Sequence, residues 1–213
     1  MDINSFSFPL ERNPGILIRG IPGHFSTSVN HTNYFLDVST LKANAAIAQA
    51  VAKELAAPYK TTTLVDTIVC MENTKVIGAY LAQVLLRKGK TTINSGGDIN
   101  VVTPMNSIDG KLLFYDNELE WIKDKHVLLL TASVSSGRTL NSALECISYY
   151  EGIITGISAL FLCTGTMPHL KINALFTSDN IPGYKAQTTG ECELCKSGQK
   201  LDALISSEGF KRI

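Results

Sequence analysis

The sequence predicts an α/β fold with a mainly parallel central sheet flanked by helices, and three observations carry that prediction. Short β-branched runs alternate with amphipathic stretches, Gly and Pro punctuate the boundaries, and one strand runs straight into a Ser- and Gly-rich turn. Residues 41–57, LKANAAIAQAVAKELAA, place apolar positions at helical spacing until Pro58 ends the run. Residues 63–71, TLVDTIVCM, are short, apolar and β-branched, which predicts a buried strand. Residues 75–88 predict a helix with Gly89 as its C-cap. Strands are expected at 91–94 and 99–103 around the Gly96-Gly97 turn, and another at 112–115. Residues 126–131 read as a strongly apolar strand. A helix over 139–150 follows, with Leu140, Ala143, Leu144 and Ile147 on one face and Gly152 ending it. Residues 153–163 and 172–176 complete the set of strands. This order implies βαβ crossovers, and such sheets bind ligands at the carboxyl ends of their strands. The core is expected over about residues 41–178 of a single domain. Both flanks, about 1–40 and 179–213, are expected to form a small hood over it.

Composition narrows the function. Forty-five per cent of the 213 residues are hydrophobic and 18% charged, enough to bury a sizeable core. Lys plus Arg and Asp plus Glu number 19 each, so the basic footprint of a nucleic-acid binder is missing and a small ligand is expected. The amino terminus, MDINSFSFPLERNPG, lacks a positive region followed by an apolar run, and the longest apolar stretches are too short to span a membrane. Five cysteines, with Cys70, Cys146 and Cys163 in apolar segments, suggest a reducing cytoplasm.

The turn at Ser135, Ser136, Gly137, Arg138 and Thr139 is the strongest candidate site. A phosphate needs several donors converging from one side without side chains crowding the backbone. Small hydroxylated residues and Gly supply that, and the next helix adds its leading amides and positive dipole end. The same residues would also serve an ordinary strand-to-helix turn with Ser or Thr as N-cap.

The run LLLTASVSSGRTL resembles the signature of type I phosphoribosyltransferases: an apolar strand, two acidic residues, then a phosphate loop. Further stretches agree. Pro22-Gly23-His24-Phe25, Thr27-Ser28, His31 and Tyr34 to Asp37 look like the amino-terminal segment of orotate phosphoribosyltransferases. Glu72, Asn73, Thr74 and Lys75 stand where that family has its pyrophosphate-binding loop. The resemblance covers most of residues 20–165 in order. It implies that the loop holds the 5-phosphate of phosphoribosyl pyrophosphate (PRPP), that Mg²⁺ accompanies PRPP, that a nucleobase is the acceptor, and that the chain is a homodimer.

The pattern breaks in two places. Thr131 and Ala132 stand where the family has adjacent carboxylates that interact with the ribose hydroxyls, and Ala132 offers no polar side-chain group at all. The span corresponding to the family's basic catalytic loop, about 102–117, offers only Lys111. Glu72 would repel pyrophosphate unless it faces a metal. Two readings follow: a divergent transferase drawing catalytic groups from elsewhere, such as Asp98, Asp109 or Asp116, or a nucleotide- or PRPP-binding module that has lost turnover.

Cys192 and Cys195, in CELCKSG, have the spacing of half a structural zinc site. Cys163 and His169 are the in-chain candidates to complete it, a second subunit could supply others, and two reduced thiols or a local redox pair are the alternatives. His24 and His31 read as hydrogen-bonding loop residues and His126 as structural. Tyr34, Phe35 and Trp121 read as core aromatics able to stack on a base.

Overall fold

The computed structural model describes residues 5–87, 92–206 and 209–213. In chain order the strands and helices are β1 (Phe6–Leu10), β2 (Asn13–Ser26), β3 (Asn30–Asp37), α1 (Ser39–Ala43), α2 (Ala45–Ala56), β4 (Thr67–Cys70), α3 (Lys75–Leu86), β5 (Asn100–Val102), β6 (Met105–Asn106), β7 (Leu112–Leu113), β8 (His126–Val134), α4 (Arg138–Tyr149), β9 (Ile153–Leu162), β10 (Asn173–Thr177), β11 (Ala186–Thr188), α5 (Glu193–Lys196), β12 (Ala203–Ser206) and β13 (Gly209–Arg212).

The apolar runs form a five-stranded, all-parallel sheet in the order β10-β9-β8-β4-β5. Strand geometry sends alternate side chains to opposite faces. Ile68, Cys70, Leu128, Leu130 and Ala132 pack under α2 and α3. Val69, Val127, Leu129 and Val134 pack on the other face with Leu140, Ala143 and Ile147 of α4. A sheet buried on both faces needs continuously apolar strands, which is why β4 and β8 read as unbroken runs.

Several boundaries depart from the sequence reading. The helix expected over 41–57 is two helices, because Asn44 adopts an extended conformation and its side chain caps the Ile47 N–H at 3.1 Å. No strand forms over residues 92–94. Asn94 is buried there, accepting from the Val65 N–H at 2.9 Å and donating to the Thr63 carbonyl at 3.0 Å, which pins a turn and keeps β4 from starting before Thr67. Thr91, Lys88 and the proposed cap Gly89 lie outside the described residues. Residues 112–113 pair only with β6 in a separate hairpin. The strand expected to stop at residue 131 continues to Val134, so Thr131 and Ala132 lie inside β8.

The chain's two ends meet in a second sheet, ordered β11-β3-β2-β12-β13, with β1 on β2. Strand β12 joins β2 in parallel, Ala203 opposite Phe25, although these residues come from opposite ends of the sequence. Leu10, Ile16 and Ile18 anchor this hood in the main core, while its outer part has a small core of its own: Ile21, Phe25, Phe35 and Ala203. Among the described residues, no helix is long and apolar enough to cross a membrane.

Candidate functional site

Strand order fixes where a ligand can sit. From β4 the chain runs outward to β5, then returns to place β8 on the opposite side of β4. The loops after β4 and β8 therefore part at a topological switch point, where α/β sheets leave a crevice at their carboxyl edge.

The loop after β8 is the Ser135–Gly137 turn. Gly137 is left-handed (φ 78°), and a Cβ there would sit 2.5 Å from the Met167 sulfur, so glycine is required on both conformational and steric grounds. Helix α4 starts at Arg138 with no side chain capping it; the Ser136 hydroxyl is 3.5 Å from the Arg138 N–H, the limit of a hydrogen bond. Ser and Thr do not act as an N-cap here, and the leading amides of a twelve-residue helix face the turn with its positive dipole end.

The loop after β4 meets it. Glu72 and Asn73 are both left-handed, at φ 53° and 61°, which costs a non-glycine residue roughly 1–2 kcal/mol. The bend throws the Glu72 carboxylate across to β8, where one oxygen, Oε2, accepts from the Thr131 hydroxyl at 2.8 Å and from the backbone N–H groups of Ala132 and Ser133 at 2.9 Å each. Hydrogen bonds to an ionised acceptor are the strong ones, and three of them offset the backbone cost. Lys42 donates to the Glu72 carbonyl at 3.1 Å. A carboxylate thus sits against β8 at Thr131, Ala132 and Ser133, supplied by a residue 60 positions from Ala132.

Both loops face a pocket of about 320 Å³ that the hood also lines. Its walls are Ser135, Ser136, Arg138 and Thr139 on the core side, Thr27, Ser28 and Val29 at the β2–β3 turn, and Ile205 and Ser206 of β12. Tyr34, Phe35, Phe161 and Tyr184 form an aromatic flank; Phe161 and Tyr184 meet edge to face at 5.4 Å. Burial, then the nearby Cys163, pushes the Tyr184 phenol well up, which keeps it a neutral donor. The turn itself is pre-formed: the Thr27 hydroxyl accepts from the Val29 and Asn30 N–H groups at 3.1 and 2.8 Å.

The other sequence candidates divide. Glu72 is the one carboxylate among the described residues lining this pocket; Asp98, Asp109 and Asp116 do not line it. Neither do Asn73, Thr74 and Lys75. Thr74 is buried and donates to the Met71 and Leu130 carbonyls, so it closes the loop onto the sheet and faces away from the crevice. Lys111 pairs with Asp109 at 3.5 Å on the exposed β6–β7 hairpin. Trp121 packs with the α4-side core, and its carbonyl accepts from the Thr67 hydroxyl. His126 opens β8 and holds the Asp66 carboxylate at 2.8 Å.

Cys192 and Cys195 converge with His24 and His31, the four ligand atoms lying within 4.8 Å of one another. Cys163 and His169 are not in this group: they lie in the connection between β9 and β10, where Cys163 is next to Thr166 and Ser178. His24 and His31 are buried strand residues, not loop residues. Burial and the adjacent His24 ring lower the His31 pKa, favouring its neutral form. Sequence could have flagged them only through a bulge: two residues of β2, Gly23 and His24, oppose the single residue Asn33, and such a bulge re-aims the extra side chain.

No family model matches the sequence, and no curated protein matches it. Solved structures do match. The UMP synthase of Leishmania donovani aligns at 16% identity with a TM-score of 0.52, over 79% of this chain and 33% of that one. The fold is that of the type I phosphoribosyltransferases. An adenine phosphoribosyltransferase from Thermoanaerobacter pseudethanolicus aligns at 17% identity (TM-score 0.49) over 81% of this chain and 94% of that one. Mycobacterium tuberculosis orotate phosphoribosyltransferase in complex with PRPP aligns at 8% identity (TM-score 0.49), covering 70% and 83% respectively. The chain spans about a third of the Leishmania protein's length.

Proposed function

We propose that the protein binds a ribose 5-phosphate at Ser135, Ser136, Gly137, Arg138 and Thr139 and transfers the phosphoribosyl group from PRPP to a nucleobase under the hood. The observation that carries this reading is the Glu72 carboxylate, fixed by three donors at the switch point and facing the same pocket as the phosphate turn. Positive charge develops on the ribose as the glycosidic bond to pyrophosphate breaks. A pre-oriented negative charge beside it stabilises that transition state and costs no reorganisation. The hydroxyls and amides of the turn hold the phosphate, and the aromatic flank of Tyr34, Phe35, Phe161 and Tyr184 offers stacking surface to a planar base. The hood lines one side of the pocket and so limits the approach of water, which would otherwise capture the ribosyl group.

The residues present fit Mg²⁺ as a partner of PRPP. That ion is held by one or two carboxylates together with substrate phosphates, and Glu72 is the carboxylate in place to do so. Bound there, it would offset the charge of the pyrophosphate.

The test is PRPP-dependent nucleotide formation with a panel of purine and pyrimidine bases, repeated with Glu72→Gln. The amide keeps an acceptor for the β8 donors and removes the charge, so kcat/KM is expected to fall about 100-fold or more while phosphate still binds. A second reading, a nucleotide-binding module without turnover, is favoured by Lys111, which pairs with Asp109 away from the pocket. No product from any base, with clear nucleotide binding by calorimetry, would establish that reading and sink the first.

A further inference from the structure

The hood has too small a core to hold its two halves together. Its outer part buries four apolar residues, Ile21, Phe25, Phe35 and Ala203, and its strands come from opposite ends of the chain. Small cores of this kind commonly depend on a disulfide or a metal. All five cysteines are free thiols.

Four side chains meet where the two halves join. His24 Nε2 lies 3.1 Å from His31 Nδ1, 3.4 Å from Cys192 Sγ and 3.6 Å from Cys195 Sγ, and Cys195 Sγ lies 3.2 Å from His31 Nδ1. A tetrahedral zinc ion with Zn–N near 2.05 Å and Zn–S near 2.3 Å requires edges of about 3.3 Å between nitrogens and about 3.6 Å between nitrogen and sulfur. These four edges lie close to those values and the remaining two are no longer than 4.8 Å, so the side chains already approach a tetrahedral shell. His24 Nδ1 is 2.9 Å from the Gln199 carbonyl, which places the proton on that nitrogen and turns the Nε2 lone pair to the cluster centre. Two thiolates and two neutral imidazoles also balance the 2+ charge, as a largely buried site demands.

We propose that His24, His31, Cys192 and Cys195 bind one structural zinc ion that staples the amino-terminal hairpin to the carboxyl-terminal segment. All four positions are protein ligands, so the site is closed and its role is architectural. The staple bears on the pocket directly. His24 and His31 flank the β2–β3 turn, whose Thr27, Ser28 and Val29 form one wall, and Asp202, two residues before Leu204, grips His24 through its backbone. The metal therefore fixes the shape of the hood above the phosphate turn.

Elemental analysis of the full-length protein purified without chelator tests this, together with zinc-edge X-ray absorption. One zinc per chain with a two-sulfur, two-nitrogen shell is expected. Replacement by Co²⁺ should give the absorption of a tetrahedral thiolate site. Because Cys195 is exposed, Cys195→Ser should fold, and it should weaken zinc binding by at least about 100-fold. Removing the metal from the wild-type protein should lower its melting temperature, and adding zinc back should restore it. Less than a tenth of an equivalent of zinc after refolding with excess metal would overturn the proposal. So would a Cys192–Cys195 disulfide in the metal-free protein as isolated, or a melting temperature that ignores the metal.

Discussion

The turn at Ser135, Ser136 and Gly137 and the four-residue cluster in the hood are built by opposite strategies. The turn is contiguous: Ser135, Ser136 and Gly137 follow β8 directly, and helix α4 follows them. Its geometry comes from local backbone conformation held by a sheet buried on both faces. The cluster joins His24 to Cys192 and Cys195 across 168 and 171 residues of sequence, and little apolar surface supports it. A site of the first kind is as stable as its scaffold, whereas one of the second kind is as stable as whatever ties the scaffold together.

The strongest test of that contrast is Gly137→Val. A side chain there meets Met167 at 2.5 Å in a left-handed backbone, and a loss of about 3–5 kcal/mol in urea unfolding is expected. The loss should extend to the whole molecule, because the turn is continuous with β8. Glu72→Ala should cost about 2–4 kcal/mol, since the amides of Ala132 and Ser133 lose their acceptor; Glu72→Gln should cost much less. Equal losses in the two variants would show that the charge, not the hydrogen bonding, fixes the loop. In the hood, Asp202→Ala removes the acceptor of the His24 N–H at 2.7 Å and should cost about 1.5–3 kcal/mol. If the hood is held separately, hydrogen exchange should rise in β2, β3 and β12 before it rises in β8.

Asp66 provides a pH test at the amino edge of the core sheet, away from the pocket. Burial alone would raise its pKa, but the His126 N–H, ring and charge outweigh it and hold the carboxyl below its usual 3.8. A depressed carboxyl pKa contributes stability that is fully present above the unfolded value and is lost as pH falls through the folded one. Asp66→Ala should therefore cost about 1 kcal/mol at neutral pH, reduced by solvent screening, and the difference from wild type should vanish in acid. Binding of phosphate should not change. Smallest of all, Lys111→Ala should alter stability by less than about 0.5 kcal/mol, because both it and its partner Asp109 are exposed. A large fall in nucleotide formation on that substitution would assign the β6–β7 hairpin a part in the proposed reaction.

The contrast also explains what was legible in the sequence. Strands β4, β8 and β9 announce themselves because a parallel sheet buried on both faces needs unbroken apolar runs. The loop after β8 is legible because its chemistry is consecutive. The break at Asn44 was hidden, since one side-chain cap overrode an Ala-rich helical pattern. So was the turn at Asn94, whose buried amide serves Val65 and Thr63. Glu72 was visible only as an awkward charge, because its role depends on two left-handed residues swinging it onto β8. His24 and His31 gave no signal as ligands, because a β-bulge and a pairing between chain ends bring them to the cysteines.

The parallel pairing of β12 with β2 has a consequence for the newly made chain. His24 is translated 178 residues before Asp202, the residue that closes the hood on it. At synthesis rates of 5–20 residues per second, the amino-terminal hairpin waits roughly 9–36 s for its partner. During that interval one edge of β2 is uncovered and Phe25 and Phe35 lack the strand that buries them. The hood is thus begun before the core sheet is made and closed only after it.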